Sequence, residues 1–179
     1  MNPRRLAIKL FATQPVPRDG LHRFIGVFHG FIQNAAVPGL LIDVADYAHV
    51  PEGPGVMLIG HDVDYSIDLA RGRTGLLTVR KRPGDEGLVA LFRDTLAKAR
   101  AAARALEADD HAAIRFATDD LEISFPDRLA APNTAAAFEM VSKELLTAAR
   151  SELGDAVRLT NVAADDPRRM LTVSLTGGR

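Results

Sequence analysis

The chain contains no cysteine and no tryptophan, only two tyrosines, and only four lysines among its 22 basic residues. The absence of cysteine excludes disulfides, thiolate catalysis, iron–sulfur clusters and cysteine-ligated zinc. Eighteen arginines make up the shortage of lysine, and with the abundant alanine they point to the coding bias of a GC-rich bacterial genome. Neither sign of charge dominates. Twenty-two basic against 23 acidic residues leave a net charge of −1, so composition gives no reason to expect a nucleic-acid or membrane partner. With 179 residues, 47% hydrophobic and 25% charged, the make-up is that of one globular domain able to bury about 70% of its unfolded surface.

Long apolar runs are also scarce. Nineteen consecutive residues from Phe24 to Ile42 carry no formal charge, but they include His29, Gln33, Asn34 and three glycines, and Pro38-Gly39 breaks them in two. A helix, a turn and a strand fit that stretch better than a membrane span. The basic N-terminus Met1-Asn-Pro-Arg-Arg5 is followed by a short apolar stretch broken by Lys9, which is not the pattern of a signal peptide. The expected location is the cytoplasm, with no membrane partner.

Alternation over Leu6–Phe11 predicts a first strand. After the turn at Pro15–Gly20, with Asp19 as N-cap, Leu21, Phe24, Ile25, Phe28, Phe31 and Ile32 recur at helical spacing. Strands are expected at Leu40–Val44, Val56–Ile59, Tyr65–Asp68 and Gly75–Arg82. A second helix, capped by Asp85, carries the stripe Leu88, Leu91, Phe92, Leu96, Ala99, Ala103 and Leu106. The segments 113–117 and 121–125 predict a hairpin turning at Asp119-Asp120. A third helix follows Asn133 or Thr134 as cap and stops at Gly154, and 157–161 with 170–175 predict a last hairpin. Few helices and many tight turns predict a single α+β domain, a mainly antiparallel sheet with three amphipathic helices packed largely on one face.

Charge is distributed unevenly. Between Phe24 and Ala70 there is no lysine or arginine, while Asp43, Asp46, Glu52, Asp62, Asp64 and Asp68 all fall there, with His49, His61 and both tyrosines, Tyr47 and Tyr65. The sign then reverses at Arg71, Arg73, Arg80, Lys81 and Arg82. Cross-strand ion pairing on a solvated face accounts for such a pattern. A chemical role is the alternative. If His49 approached His61 across a hairpin, with Asp62 and Asp64 beside them, the set would suit a divalent metal or a His/Asp acid–base pair. Arg71 and Arg73 could then neutralise a small anionic ligand, with Tyr47 and Tyr65 lining its site. No H-E-x-x-H, calcium loop, phosphate loop, G-x-G-x-x-G or G-x-S-x-G pattern is present.

The first helix holds Gly26 and Gly30 on the side that bears His22, His29 and Gln33. Each glycine costs a helix about 1 kcal/mol against alanine, which implies a close approach to that backbone by a neighbouring strand in the core, a partner subunit or a flat ligand. A homodimer through this helix is the expectation, since its apolar arc is wider than one sheet contact needs. Leu41–His61 together with Asp64–Asp68 and Asp127–Thr134 resembles a family of uncharacterised bacterial proteins to which no activity attaches. The function expected from the residues is a binding or assembly module with 47–82 as its contact surface. The alternative is a small metal-dependent or His/Asp acid–base enzyme acting on an anionic small molecule.

Overall fold

The computed structural model describes residues 3, 5–82 and 86–177. Eight strands, β1 (Leu6–Ala12), β2 (Leu41–Tyr47), β3 (Gly55–Gly60), β4 (Val63–Asp68), β5 (Gly75–Arg80), β6 (Phe116–Ser124), β7 (Arg158–Asn161) and β8 (Thr172–Thr176), form one antiparallel sheet in the order β2-β3-β4-β5-β1-β6-β8-β7. Three helices, α1 (Arg23–Asn34), α2 (Leu88–Ala108) and α3 (Ala135–Leu153), complete the α+β fold. Among the described residues no helix is long and apolar enough to cross a membrane.

Successive side chains of a strand point to opposite faces, so the register assigns each residue a side. One row across all eight strands reads Val44, Leu58, Tyr65, Thr78, Ile8, Ile123, Val173 and Asn161. The parallel row on the same face reads Asp46, Val56, Ile67, Leu76, Leu10, Leu121, Leu175 and Leu159. This apolar face takes the helices: α1 lies over β2 and β3, α2 over β1 and β5, and α3 over β7 and β8. The expected stripe of α2 is buried throughout, as are Phe24, Phe28 and Phe31 of α1, and the helices and sheet share one continuous core. Each leucine or phenylalanine among them contributes roughly 1.5–3 kcal/mol by leaving water.

The intervening row reads Ala45, Met57, Ser66, Leu77, Lys9, Glu122, Ser174 and Thr160. It faces away from all three helices and is mixed in character.

Several local expectations need correction. Residues 116–124 form one strand rather than two arms of a hairpin, because Leu10 pairs with Leu121 while Ala12 pairs with Phe116. Asp119-Asp120 therefore sits in a bulge that absorbs the surplus residues, and both Phe116 and Leu121 remain buried. Asp19 does not cap α1; it lies in a 3-10 turn, Arg18–His22, that precedes the helix. Asp85 lies outside the described residues. At α3 the cap is Thr134, whose hydroxyl accepts from the Ala137 amide at 3.2 Å, and Gly154 ends the helix at φ 95°. Asn133 is buried instead as a loop tie, donating to the Ala163 and Asp166 carbonyls at 2.6 and 2.9 Å.

Candidate functional site

The helix-free face carries an unusual concentration of buried charge. Lys9, near the middle of the central strand β1, is 4% exposed, and its ammonium donates to Asp68 at 2.6 Å and to the Ala70 carbonyl at 3.2 Å. The lysine stem crosses Gly75 diagonally to get there: a Cβ on Gly75 would lie 2.9 Å from Lys9 Cε and 2.5 Å from the Leu10 oxygen. Burial pushes the Lys9 amine below its ordinary range, with Arg71 and Arg73 adding to the fall while Asp68 opposes it.

A 3-10 turn, Ala70–Gly72, folds over this cluster. Arg71 adopts a left-handed backbone (φ 60°), uncommon for a residue with a Cβ. Its amide donates to Glu52 at 2.8 Å and its guanidinium pairs with the buried Glu122. Burial, then the neighbouring Arg169, pushes Arg71 down from its ordinary value. Arg73 stacks on the Phe11 ring, 3.4 Å from its centroid, and pairs with Asp120 at 2.7 Å. The two arginines nominated from sequence are thus both committed to carboxylates of the same molecule. Lys9 and Glu122 were missed, although each is a charge set into an apolar strand run, the one available signal.

The histidines do not come together. His49 lies in the β2–β3 turn, before β3 begins, and His61 follows the end of β3, so a six-residue strand of ~20 Å separates them. Around His61 the acidic and basic strands pair internally. Arg82 reaches Asp62 at 3.3 Å and His61 Nδ1 at 3.4 Å, while Lys81 meets Asp64 at 2.8 Å. His61, Asp62 and Asp64 therefore brace the β4–β5 side of the sheet. His49 instead shares a cleft of about 550 Å³ with His22, Asp46 and Arg18. His22 Nδ1 is 3.6 Å from Asp46, and the Arg18 guanidinium holds the turn by donating to the Ala48, Val50 and Pro51 carbonyls at 2.7, 3.0 and 2.7 Å. Among the described residues no three His, Asp or Glu side chains come together as a metal site.

The tyrosines divide. Tyr65 is not a surface residue: it points into the core at 1% exposure, its hydroxyl donates to the Pro38 carbonyl at 3.4 Å, and burial, with Asp94 nearby, pushes it up to about 12. Tyr47 is 41% exposed beside His49, their ring centres 6.3 Å apart.

Tyr47 belongs to a larger feature. Leu40, Ile42, Tyr47 and Val50 are 66%, 56%, 41% and 36% exposed, all in or beside β2, which is an edge of the sheet. Next to β2 runs α1, with Gly26 exposed and Gly30 half-buried. Beyond their own helix, nothing among the described residues approaches their backbone: a Cβ built on either meets no such atom within 4 Å. The close approach expected from sequence is not made by any described residue of this chain. Set against family models, curated proteins and solved structures, the chain matches none.

Proposed function

We propose that the protein is a self-assembling binding module of the cytoplasm: a homodimer joined edge to edge through β2, with α1 of each copy meeting across the junction at Gly26 and Gly30. The contact surface for further partners continues from this edge across residues 47–82. The observation that carries the reading is the gathering of Leu40, Ile42, Tyr47 and Val50 in and beside β2, a strand with one free edge. An exposed apolar edge is a template for another strand, and a second copy is the partner whose edge is guaranteed to match. Antiparallel pairing of two β2 strands about Val44 sets Asp43 opposite Ala45 and Ile42 opposite Asp46. No carboxylate then faces a carboxylate. Each large side chain newly covered contributes roughly 1–2 kcal/mol.

Sedimentation velocity tests this. The wild-type chain is expected at twice its 19.3 kDa. Gly26→Leu with Gly30→Leu should shift it to the monomer with the helix intact, since both positions have room for a side chain. A wild-type monomer at high micromolar concentration, or an unchanged dimer in the double variant, counts against the reading.

A second reading, a small acid–base enzyme for an anionic substrate, draws on the His22–Asp46 approach in the His49 cleft. It expects turnover of a chromogenic phosphate monoester that His22→Ala and His49→Ala each abolish; no turnover removes it.

A further inference from the structure

A cavity of about 480 Å³ opens between the Thr13–Val16 loop, which follows β1, and residues 113–115, which lead into β6. Its walls are tied together: the Thr13 amide donates to the Arg115 carbonyl at 2.9 Å. Two arginines, Arg23 and Arg115, are among its lining residues, and among the described residues no acidic residue is.

Both arginines are held in place by groups that leave their charge unneutralised. Arg23 Nε donates to the Ala112 carbonyl at 2.9 Å, and its guanidinium lies 4.8 Å from the centre of the Phe24 ring. Gly20 leaves room for it, since a Cβ there would fall 2.9 Å from Arg23 Nη1. Arg115 Nη1 donates to the Glu107 and Ile114 carbonyls at 2.8 and 2.9 Å. The acids nearest in sequence are occupied. Glu107 accepts from the Phe116 amide at 2.8 Å, and Asp109 accepts from the His111 and Ala112 amides at 2.8 and 3.1 Å. Among the described residues neither Arg23 nor Arg115 meets a carboxylate, whereas Arg71, Arg73, Arg80, Arg82 and Arg100 each do. Between the two carbonyls that fix this wall, Ala113 adopts a left-handed backbone at φ 44°, uncommon for a residue with a Cβ.

Each guanidinium has five N–H donors and spends only one nitrogen on backbone oxygens, so several donors are left for a ligand. Donors from two separate forks exceed what the two oxygens of a carboxylate take up and match the three terminal oxygens of a phosphate group. The volume lies within the range of small-molecule sites and leaves space for an organic body beyond the phosphate. We infer that this cavity binds a small phosphorylated molecule, with Arg23 and Arg115 as its phosphate clamp. The anionic-ligand role expected of Arg71 and Arg73 thus passes to a pair of arginines with no carboxylate partner among the described residues. The inference is independent of the dimer.

Titration calorimetry on the full chain with glucose 6-phosphate, inorganic phosphate and citrate tests it. Glucose 6-phosphate is expected to bind in the sub-millimolar range, inorganic phosphate more weakly, and citrate least. Arg23→Gln and Arg115→Gln should each weaken glucose 6-phosphate by at least about tenfold, while Arg73→Gln, whose parent side chain is engaged by Asp120, leaves it unchanged. If Arg23→Gln unfolds the chain, the exposed Arg115 decides alone. No heat with either phosphate probe, equal binding by the Arg115→Gln variant, or a preference for citrate overturns the assignment.

Discussion

The two edges of the sheet differ in a way their shared architecture does not require. β7 is four residues long and presents Arg158 and Thr160 to solvent, the short polar form that keeps an edge from recruiting another strand. β2 is seven residues long, with Leu40, Ile42 and Tyr47 exposed in or beside it. Both edges leave backbone groups unpaired, so backbone chemistry does not distinguish them. Side chains do. β7 has the polar form that stops an edge, β2 the exposed apolar form on which the proposed dimer rests, and the two glycines of α1 lie beside β2. β2 retains one local brake: the Asp43 carboxylate accepts from the Val44 amide at 2.8 Å. That amide is covered in the monomer and must be released before a second strand can pair.

The largest effect should strike both edges alike. Asp68→Ala leaves the Lys9 ammonium buried without its carboxylate and is expected to cost about 3–5 kcal/mol of folding free energy, read by urea unfolding. Next comes a change that separates the edges. Ile42→Lys should weaken dimerisation by roughly 2–3 kcal/mol, removing apolar cover and placing a charge on the junction, while Thr160→Lys on β7 should leave sedimentation unaltered.

A pH effect of similar size should act from the β2 side. Tyr65 shares a row with Val44 and Leu58, and its phenol stands at about 12 in the folded chain against an ordinary value of 10.0. A raised folded value means that the stabilisation is present in full below pH 10 and is lost as pH rises through about 12. The amount is roughly 2–3 kcal/mol. Alkaline unfolding of the wild type should therefore be steeper over that window than that of Tyr65→Phe; parallel curves would contradict it. The smallest effect is Asp43→Ala, which removes the brake on the Val44 amide and should tighten the dimer by about 0.5–1 kcal/mol, seen as a lower dissociation constant.

What could be read from the sequence was whatever repeats locally. The stripe from Leu88 to Leu106 identifies α2 because one helix face records its own burial, and the paired turns of 56–80 identify the meander. Parity was also readable in β4. Val63, Tyr65 and Ile67 share the core side, as their apolar character against the alternating Asp64, Ser66 and Asp68 signals. Asp119-Asp120 misled because the same residues that open a hairpin also suit a bulge. The charged cluster was illegible for a different reason. Lys9 meets Asp68 across 59 positions and Arg23 meets Ala112 across 89, and no local pattern records pairings set by strand order. The His49–His61 pairing failed on length, since two turns at opposite ends of one strand cannot meet.

Amide hydrogen exchange at the two edges, followed as a function of protein concentration, distinguishes a β2-paired dimer from a monomer. The outward-facing amides of β2 should gain protection as concentration rises through the dimer dissociation constant, while those of β7 exchange at one rate throughout. Equal, concentration-independent exchange at both edges would contradict the assembly proposed here.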